Sequence, residues 1–235
     1  MEFLHAVIVL SNFVIIPAIT YGSQLALGAL GVTLVYGILR FSNFAHGDTM
    51  AFGTMVAILF TWWFQSIGVS IAPLPTALLA LPIAIVLTAL LLLGTDRVVL
   101  RFYRKQKSAP VILLIVSLGI MFVYNGLVRF IIGVGDQRFS DGSRFIISAR
   151  DFKKLTGLDE GLAIKTTQVI TVITAVMVVA LLFWFLNRTR TGKSMRAFSD
   201  NEDLALLSGI NPERVVLYTW LIVAALATIA GTLYG

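Results

Sequence analysis

The sequence predicts an all-α polytopic membrane protein, built as a bundle of transmembrane helices. Hydrophobic residues fill 58% of the 235 positions and charged residues only 13%, a composition that cannot give a soluble domain a polar surface. The apolar residues lie in continuous runs, without the alternation of polar and apolar positions that a membrane β-barrel requires. Because backbone groups in lipid must be hydrogen-bonded within their own segment, these runs are expected to be helices.

Six apolar runs are long enough, or nearly long enough, to cross a hydrocarbon core of about 30 Å, which takes roughly 20 helical residues. They are residues 3–39, 50–64, 74–94, 110–132, 166–186 and 215–235, and together they predict one transmembrane domain over residues 1–235. The first run follows Glu2 and lacks a basic leader or cleavage site, so we expect a retained anchor. The absence of cysteine excludes disulfides and thiolate metal sites.

Basic residues between the runs predict the orientation of the chain. Residues 96–107 contain five bases and one acid, and residues 188–196 contain four bases and no acid. Because Lys and Arg in short loops favour the cytoplasmic side, both loops are expected there. Residues 133–165 lie one helix from each loop and are therefore expected outside, as is the amino terminus. The net charge of +6 reflects this topology and gives no support to nucleic-acid binding.

A polar island at residues 40–48 separates the first two runs. As one helix, residues 3–39 would extend about 55 Å, too long for one crossing, whereas residues 50–64 would reach only about 22 Å. One interpretation is a broken helix, with half-helices at 23–39 and 50–64 and an unwound link within the membrane. The alternative is a solvated cytoplasmic turn after a tilted helix. The possible break or close-packing points are glycines: Gly22, Gly28, Gly31 and Gly37.

The polar island supplies the candidate pathway residues, since polar groups there could hydrogen-bond a zwitterion while apolar neighbours accept an aliphatic side chain. They are Asn43, Phe44, His46, Gly47 and Asp48. The alternative is that Asn43 and Asp48 only cap helix ends, Asp48 serving a helix that starts near Met50. No metal site is expected, because the two histidines, His5 and His46, lie far apart in sequence.

A second informative segment is the polar loop at residues 196–214. Ser199 and Glu202 have the spacing of a capping box, which predicts a short helix over residues 199–208. Gly209 is placed for a left-handed cap, with Ile210 as the hydrophobic residue that follows such caps. Between these ends the helix has three leucines, Leu204, Leu206 and Leu207. Such a helix either rests on its own bundle or docks into a groove on a soluble partner.

Enzyme-like fragments do not support a catalytic function. Gly192-Lys193-Ser194 matches the end of a phosphate-binding loop, but position 187 is Asn where the motif requires Gly, and a membrane helix precedes it. Residues 133–136 contain a Gly-x-Gly-Asp sequence in the outer loop, with no second intramembrane aspartate to share a proton. No catalytic residue is therefore predicted.

The chain resembles the branched-chain amino acid permease family of ABC importers, through matches spread in order over most of its length. The first is residues 22–53, with Gly31-Val-Thr-Leu-Val-Tyr-Gly37 and Asn43-Phe-Ala-His-Gly47. The others are the basic loop from Asp96 to Arg104 and residues 191–215, with Ser208-Gly-Ile-Asn211. Members of this family also have an apolar region beyond the position of Gly235, so the resemblance implies that a carboxy-terminal part is missing or that the chain is an unusual member.

The resemblance implies a permease subunit in the cytoplasmic (inner) membrane of a bacterium. Its implied partners are a second permease subunit, two ATPase subunits and an extracytoplasmic substrate-binding protein. ATP and magnesium would then be bound by the ATPase subunits, and this chain would bind no cofactor. The resemblance also makes residues 199–208 the coupling helix, with Ser199, Glu202, the three leucines, Gly209 and Ile210 as coupling residues.

Several functions stay open at the level of sequence. Neutral or branched-chain amino acids are the leading substrates by resemblance, and urea or short amides follow because related importers transport them. A passive small-solute channel through the helix bundle is a less favoured alternative. A structural membrane subunit that supports a separate pathway is a third.

Overall fold

The computed structural model describes residues 2–69, 75–135, 137, 139, 145–148, 152–154 and 161–234. The chain starts with α1 (Glu2–Leu10), a π-helical turn (Ser11–Ile15) and α2 (Ile16–Leu39), followed by α3 (His46–Ser66) and α4 (Ala77–Thr95). A second π-helical turn (Asp96–Leu100) leads into α5 (Arg101–Lys105) and α6 (Pro110–Ile132). The last helices are α7 (Thr166–Arg188), α8 (Arg190–Asp200), α9 (Glu202–Leu207) and α10 (Pro212–Tyr234).

The architecture confirms the predicted all-α polytopic membrane protein. Within the described residues, five helical segments are long and apolar enough to cross a membrane: His5–Leu39, Ala77–Lys105, Pro110–Ile132, Thr166–Arg188 and Pro212–Tyr234. α3 is a further long helix, with 21 residues. It would extend roughly 32 Å, so the expectation of a short half-helix at 50–64 is wrong. The helix is longer because it incorporates the polar residues from His46 onward.

The first apolar run is not broken at its glycines. α2 continues from Ile16 to Leu39, and the irregularity lies earlier, in the π-helical turn. A half-helix at 23–39 is therefore wrong. Of these glycines only Gly31 allows a close approach, since a Cβ atom there would lie 2.7 Å from His46 Nε2, whereas no atom lies within 4 Å of one at Gly22. The predicted interruption near residues 40–49 is confirmed, because the helix stops at Leu39 and resumes at His46.

α10 is the central helix of the bundle. In the most apolar 18-residue stretch of α10, 61% of the residues are buried, whereas the same measure is 11–28% in the other four candidate spans. α10 packs on α2, α3 and α4. Two glycines bring α10 and α3 into backbone contact. A Cβ atom at Gly231 would lie 2.7 Å from the Met50 carbonyl oxygen, and one at Gly53 would lie 2.9 Å from Thr228 Cα. Small residues that allow such close approach are typical of helix packing in membranes.

A buried polar cluster closes the end of the bundle where the basic residues lie. The Asp96 carboxylate accepts a hydrogen bond from Trp220 Nε1 at 2.8 Å and two hydrogen bonds from the Arg104 guanidinium. Nearby, Arg101 and Glu213 form an exposed ion pair at 3.1 Å. Because a buried carboxylate needs such partners, the cluster fixes the π-helical turn after α4 against α10.

The opposite end of the bundle contains a two-stranded antiparallel sheet, β1 (Phe145–Ile147) and β2 (Ile164–Lys165). Asn12, in the first π-helical turn, donates a hydrogen bond to the Gly161 carbonyl oxygen at 2.7 Å and accepts one from the Ala163 amide at 3.0 Å. The amino-terminal helix and the 161–165 segment therefore share one end of the bundle, as the predicted topology requires. Part of residues 133–165, including position 136, lies outside the described residues.

Candidate functional site

A cleft of about 660 Å³ opens between α2, the link at residues 40–45, the start of α3 and the end of α10. Four of the five residues predicted to form a pathway line it: Asn43, Phe44, His46 and Gly47. Gln24 on α2 and Tyr234 on α10 complete its polar lining, together with Ser42. The polar island and the cleft therefore coincide.

The link folds back along α2 and does not turn away at the end of the helix. His46 packs against Gly31 so closely that a Cβ atom at Gly31 would lie 2.7 Å from the His46 Nε2 atom. Gly31 precedes Leu39 by about two helical turns, or roughly 12 Å. Phe41, Asn43 and His46 are buried. A solvated turn is therefore excluded for these residues, which return into the bundle before α3 begins.

Hydrogen bonds from α6 and from Asn43 hold the link in place. Ser117 Oγ accepts from the Phe44 amide at 3.1 Å and lies 3.4 Å from the Ser42 carbonyl oxygen. The Asn43 Oδ1 atom accepts from the Ala45 amide at 3.2 Å. Asn43 thus stabilises the turn before α3 and also lines the cleft. The capping alternative for Asn43 is wrong, because Ala45 is the N-cap of α3 and no side chain caps that helix.

Asp48 has a different position from the one predicted. α3 begins at His46, so Asp48 lies inside its first turn and is not the N-cap of a helix near Met50. Its Oδ1 atom accepts a hydrogen bond from Asn125 Nδ2 on α6 at 2.9 Å. Asp48 does not line the cleft. Its carboxylate instead connects α3 to α6, because the helix starts four residues earlier than the apolar pattern indicates.

The cleft contains polar atoms that lack hydrogen-bond partners within the described part of the chain. Neither nitrogen of the buried His46 ring has one in good geometry, although the ring lies beside the Gly28 backbone. Gln24 donates from Nε2 to the Leu233 carbonyl oxygen at 2.6 Å, but its buried Oε1 atom has no partner. Since buried polar groups are normally hydrogen-bonded, these enclosed atoms leave unpaired polar groups within the cleft wall.

Sequence reasoning missed Gln24, because a single glutamine in an apolar run gives no local signal. A signal exists in the spacing: Gln24, Gly28 and Gly31 follow one another at four and three residues, and so lie on one face of α2. That face borders the cleft.

The chemistry of the cleft suits binding and passage. Its lining includes no Lys, Arg, Asp or Glu and is mostly apolar, with amide, hydroxyl and imidazole groups. Within the described residues no group of three potential metal ligands occurs. A solute that is uncharged or zwitterionic and has an apolar part matches this lining. Its polar groups can hydrogen-bond to the amide, hydroxyl and imidazole groups, and its apolar part can contact the hydrocarbon wall.

The second predicted site, the short helix in the loop at 196–214, is present with a different start. Ser199 and Asp200 are the last residues of α8, and Asn201 is the N-cap of α9, its Oδ1 atom accepting from the Leu204 amide at 3.1 Å. The predicted capping box of Ser199 and Glu202 is therefore wrong. Glu202 lies in the first turn of α9, where its negative charge interacts favourably with the positive end of the helix dipole.

The end of α9 confirms the predicted left-handed cap. Gly209 has a φ of +80°, its amide donates to the Leu206 carbonyl oxygen, and the Ile210 amide donates to the Ala205 carbonyl oxygen, both at 3.0 Å. This is the Schellman hydrogen-bond pattern. Asn211 then caps α10 by accepting from the Glu213 amide at 2.9 Å.

The faces of α9 differ in burial. Ala205 is buried and the Ile210 side chain packs on the main hydrophobic core, whereas Leu204, Leu206 and Leu207 are 61%, 43% and 85% exposed. Packing of the leucines on their own bundle is therefore excluded for this structure. α9 presents an apolar face outward from the end of the bundle that carries the basic residues.

These features define a helical membrane permease, with a partly polar cleft inside the bundle and a capped helix projecting from its basic end. Comparison with known proteins identifies the family. Residues 14–235 match the model of the branched-chain amino acid transport system permease component, and the chain belongs to this family.

Individual relatives agree with the family match. The chain is 31% identical to the high-affinity branched-chain amino acid transport system permease protein LivH of Escherichia coli, over 92% of this chain and 68% of that protein. It is 28% identical to the corresponding permease protein BraD of Pseudomonas aeruginosa, over 94% and 69%. A probable LivH of Methanocaldococcus jannaschii is 29% identical, over 92% and 64%. No solved structure matches the chain significantly.

Proposed function

We propose that this chain is the permease subunit of an ATP-driven importer that moves branched-chain or other neutral amino acids across the cytoplasmic membrane. The observation that carries the proposal is α9, a helix fixed by caps at both ends that exposes three leucines where a soluble partner would dock. A short amphipathic helix of this kind binds in a hydrophobic groove of its partner. Membership of the permease family supports an ATPase subunit as that partner.

In this proposal the energy comes from outside the chain. Two ATPase subunits bind and hydrolyse ATP with magnesium, and each receives a coupling helix from one of two permease subunits. A binding protein on the outer side, where the amino terminus lies, delivers the substrate. The α9 leucines transmit the movement of the ATPase, and Gly209 permits the sharp exit from α9 into α10.

The cleft at residues 42–50 is the pathway wall of this subunit. Its polar lining residues, among them Ser42, Asn43 and Tyr234, would face lipid if the cleft were open to the membrane, and polar groups in lipid are costly. A second permease subunit that covers the cleft would instead make it part of a closed pathway. Amino and carboxylate groups of the substrate would then hydrogen-bond to these polar residues, with the aliphatic part against the apolar lining.

A second candidate substrate class is urea or short amides. The observation that favours it is the lack of charged side chains in the cleft, since a neutral amide needs hydrogen bonds but no counter-charge. The driving force and partners are the same in both cases.

The test is to purify the complex with its ATPase subunits and measure ATP hydrolysis with the matching binding protein and a panel of amino acids, urea and short amides. The proposal expects hydrolysis to rise with one substrate class and vanadate to abolish uptake into proteoliposomes. Downhill, vanadate-insensitive uptake by this chain alone would identify a passive channel instead. Stimulation by urea and not by amino acids would assign the second substrate class.

A further inference from the structure

We propose that Arg40 is the residue that connects the coupling helices to the wall of the cleft, an inference that rests on the proposed importer function. Arg40 lies immediately after α2 and immediately before the link that forms the cleft wall. No role follows for it from the sequence motifs, which place it only at the edge of the polar island. Its contacts and its backbone conformation give it one.

The Arg40 side chain reaches the end of α8. Its Nη2 atom donates a hydrogen bond to the Ser199 carbonyl oxygen and lies 3.5 Å from the Asp200 carbonyl oxygen. These are the last carbonyl groups of α8, which carry the negative end of the helix dipole and favour a cation. Asp200 is followed directly by Asn201, the N-cap of α9. The guanidinium is therefore bonded at the junction of α8 and α9.

A reciprocal hydrogen bond strengthens this contact. Ser199 Oγ donates to the Gly37 carbonyl oxygen near the end of α2 at 2.6 Å. Each helix thus offers a donor to a carbonyl of the other. The ends of α2 and α8 are held together by two hydrogen bonds that run in opposite directions.

The backbone of Arg40 shows that its side chain is needed there. Arg40 has a φ of 57°, and the only other non-glycine residue with positive φ in the described part of the chain is Lys107. Glycine is the usual residue at such a left-handed helix cap, since a Cβ atom is unfavourable there. A residue held in this conformation against its preference is typical of a functional position. At position 40 the preference is outweighed by the bond to α8.

On its other side Arg40 leads directly into the cleft wall. Phe41 is 1% exposed and so fixed in the core, and the residues after it are held by Ser117 and by the contact of His46 with Gly31. A displacement of α8 and α9 by a partner is therefore passed through the Arg40 side chain to a short, well-packed segment. Arg40 is a positioning residue, which acts on the pathway through residues 41–46 and does not touch the substrate.

Substitution of Arg40 by glycine separates this role from a merely structural one. Arg40→Gly removes the bond to α8 but relieves the left-handed backbone, so the complex should assemble and its thermal midpoint should stay equal or rise. Arg40→Lys keeps a cation that can reach the α8 carbonyls. Gly22→Ala is a control on the same helix, at a position with no atom within 4 Å of the added methyl group.

The measurement is ATP hydrolysis by the purified complex in liposomes, with and without binding protein and amino acid, together with the number of ATP molecules hydrolysed per substrate imported. For Arg40→Gly we expect basal hydrolysis within about twofold of wild type and a loss of substrate stimulation on the order of tenfold, as for other coupling interactions. Arg40→Lys should restore most of the stimulation.

The outcomes distinguish this inference from the proposed function. A wild-type complex without any substrate-stimulated hydrolysis overturns the importer function and this inference with it. A stimulated wild type with equally well coupled Arg40→Gly overturns the role of Arg40 alone. If Arg40→Gly lowers the thermal midpoint and all activities in parallel, Arg40 is only structural, and the inference is likewise wrong.

Discussion

The contact between Gly31 and His46 can be tested by adding a single methyl group. In Gly31→Ala the new Cβ atom would lie 2.7 Å from His46 Nε2, whereas ordinary contacts begin near 3.4 Å. Because the His46 Cε1 atom would lie closer still, the ring would have to retreat by about 1 Å from α2. Overpacking of a buried contact costs about 1–3 kcal/mol, and the gain from replacing a helical glycine returns about 0.5–1 kcal/mol. A net destabilisation of roughly 0–2.5 kcal/mol is expected.

Gly22→Ala is the matched control for this prediction, because it lies on the same helix with no atom within 4 Å of the added Cβ. It should raise stability slightly. The assay is thermal unfolding of the purified complex in detergent, combined with amino acid uptake after reconstitution, which should fall in Gly31→Ala only. In the double variant Gly31→Ala with His46→Ala the added methyl no longer meets a ring, so the two effects should be non-additive by about 0.5–3 kcal/mol.

Equal stability and equal uptake of Gly31→Ala and Gly22→Ala would contradict the packing of His46 on α2. The link at residues 40–45 would then not fold back into the bundle, and the cleft would lose one of its walls.

Three further predictions concern other parts of the bundle. Asp96→Asn removes the charged partner of the Arg104 guanidinium at a buried site, and it should lower the free energy of unfolding by roughly 3 kcal/mol, measured by heat or denaturant. Glu213→Gln changes an exposed ion pair and should lower the free energy of unfolding by only about 0–1 kcal/mol. Gly231→Ala places a Cβ atom against the α3 backbone and should prevent assembly of the complex in size-exclusion chromatography, while Gly126→Ala, with no neighbour within 4 Å, should assemble normally. Gln24→Leu removes both the unpartnered Oε1 atom and the hydrogen bond to α10. Uptake should fall by more than the loss of thermal stability alone explains. Unchanged uptake would exclude Gln24 from the pathway.

The helical membrane fold could be predicted from the sequence, because long apolar runs are compatible only with membrane helices once barrels are excluded. The left-handed cap at Gly209 and the N-cap at Asn211 were also predictable, since both depend on interactions within a few residues. The interruption after Leu39 followed from the charges and the lengths of the flanking runs.

The errors have a common physical origin. The start of α3 was placed too late because polar residues at its beginning were assigned to the link, although they are accommodated by Asn125 and by the glycine face of α2. Ser199 has the spacing of an N-cap residue, yet its hydroxyl is engaged by the Gly37 carbonyl of another helix. Local patterns cannot reveal a tertiary partner, and for the same reason neither Gln24 nor Arg40 was recognised as a site residue.

The central claim is that the cleft beside His46 is a water-accessible pathway, and cysteine labelling tests it most directly. These 235 residues contain no cysteine, so each introduced thiol is the only one among them. Phe44→Cys places a thiol in the cleft, and Phe122→Cys places one on α6 outside it, at side chains that are 50% and 71% exposed. Thiolates form in water and not in lipid, so a membrane-impermeant reagent reports water access.

In the reconstituted complex we predict that Phe44→Cys reacts, that its rate changes when ATP and substrate are added, and that Phe122→Cys stays unlabelled. An unreactive Phe44→Cys, or equal labelling at both positions regardless of ATP and substrate, would contradict a pathway through this cleft.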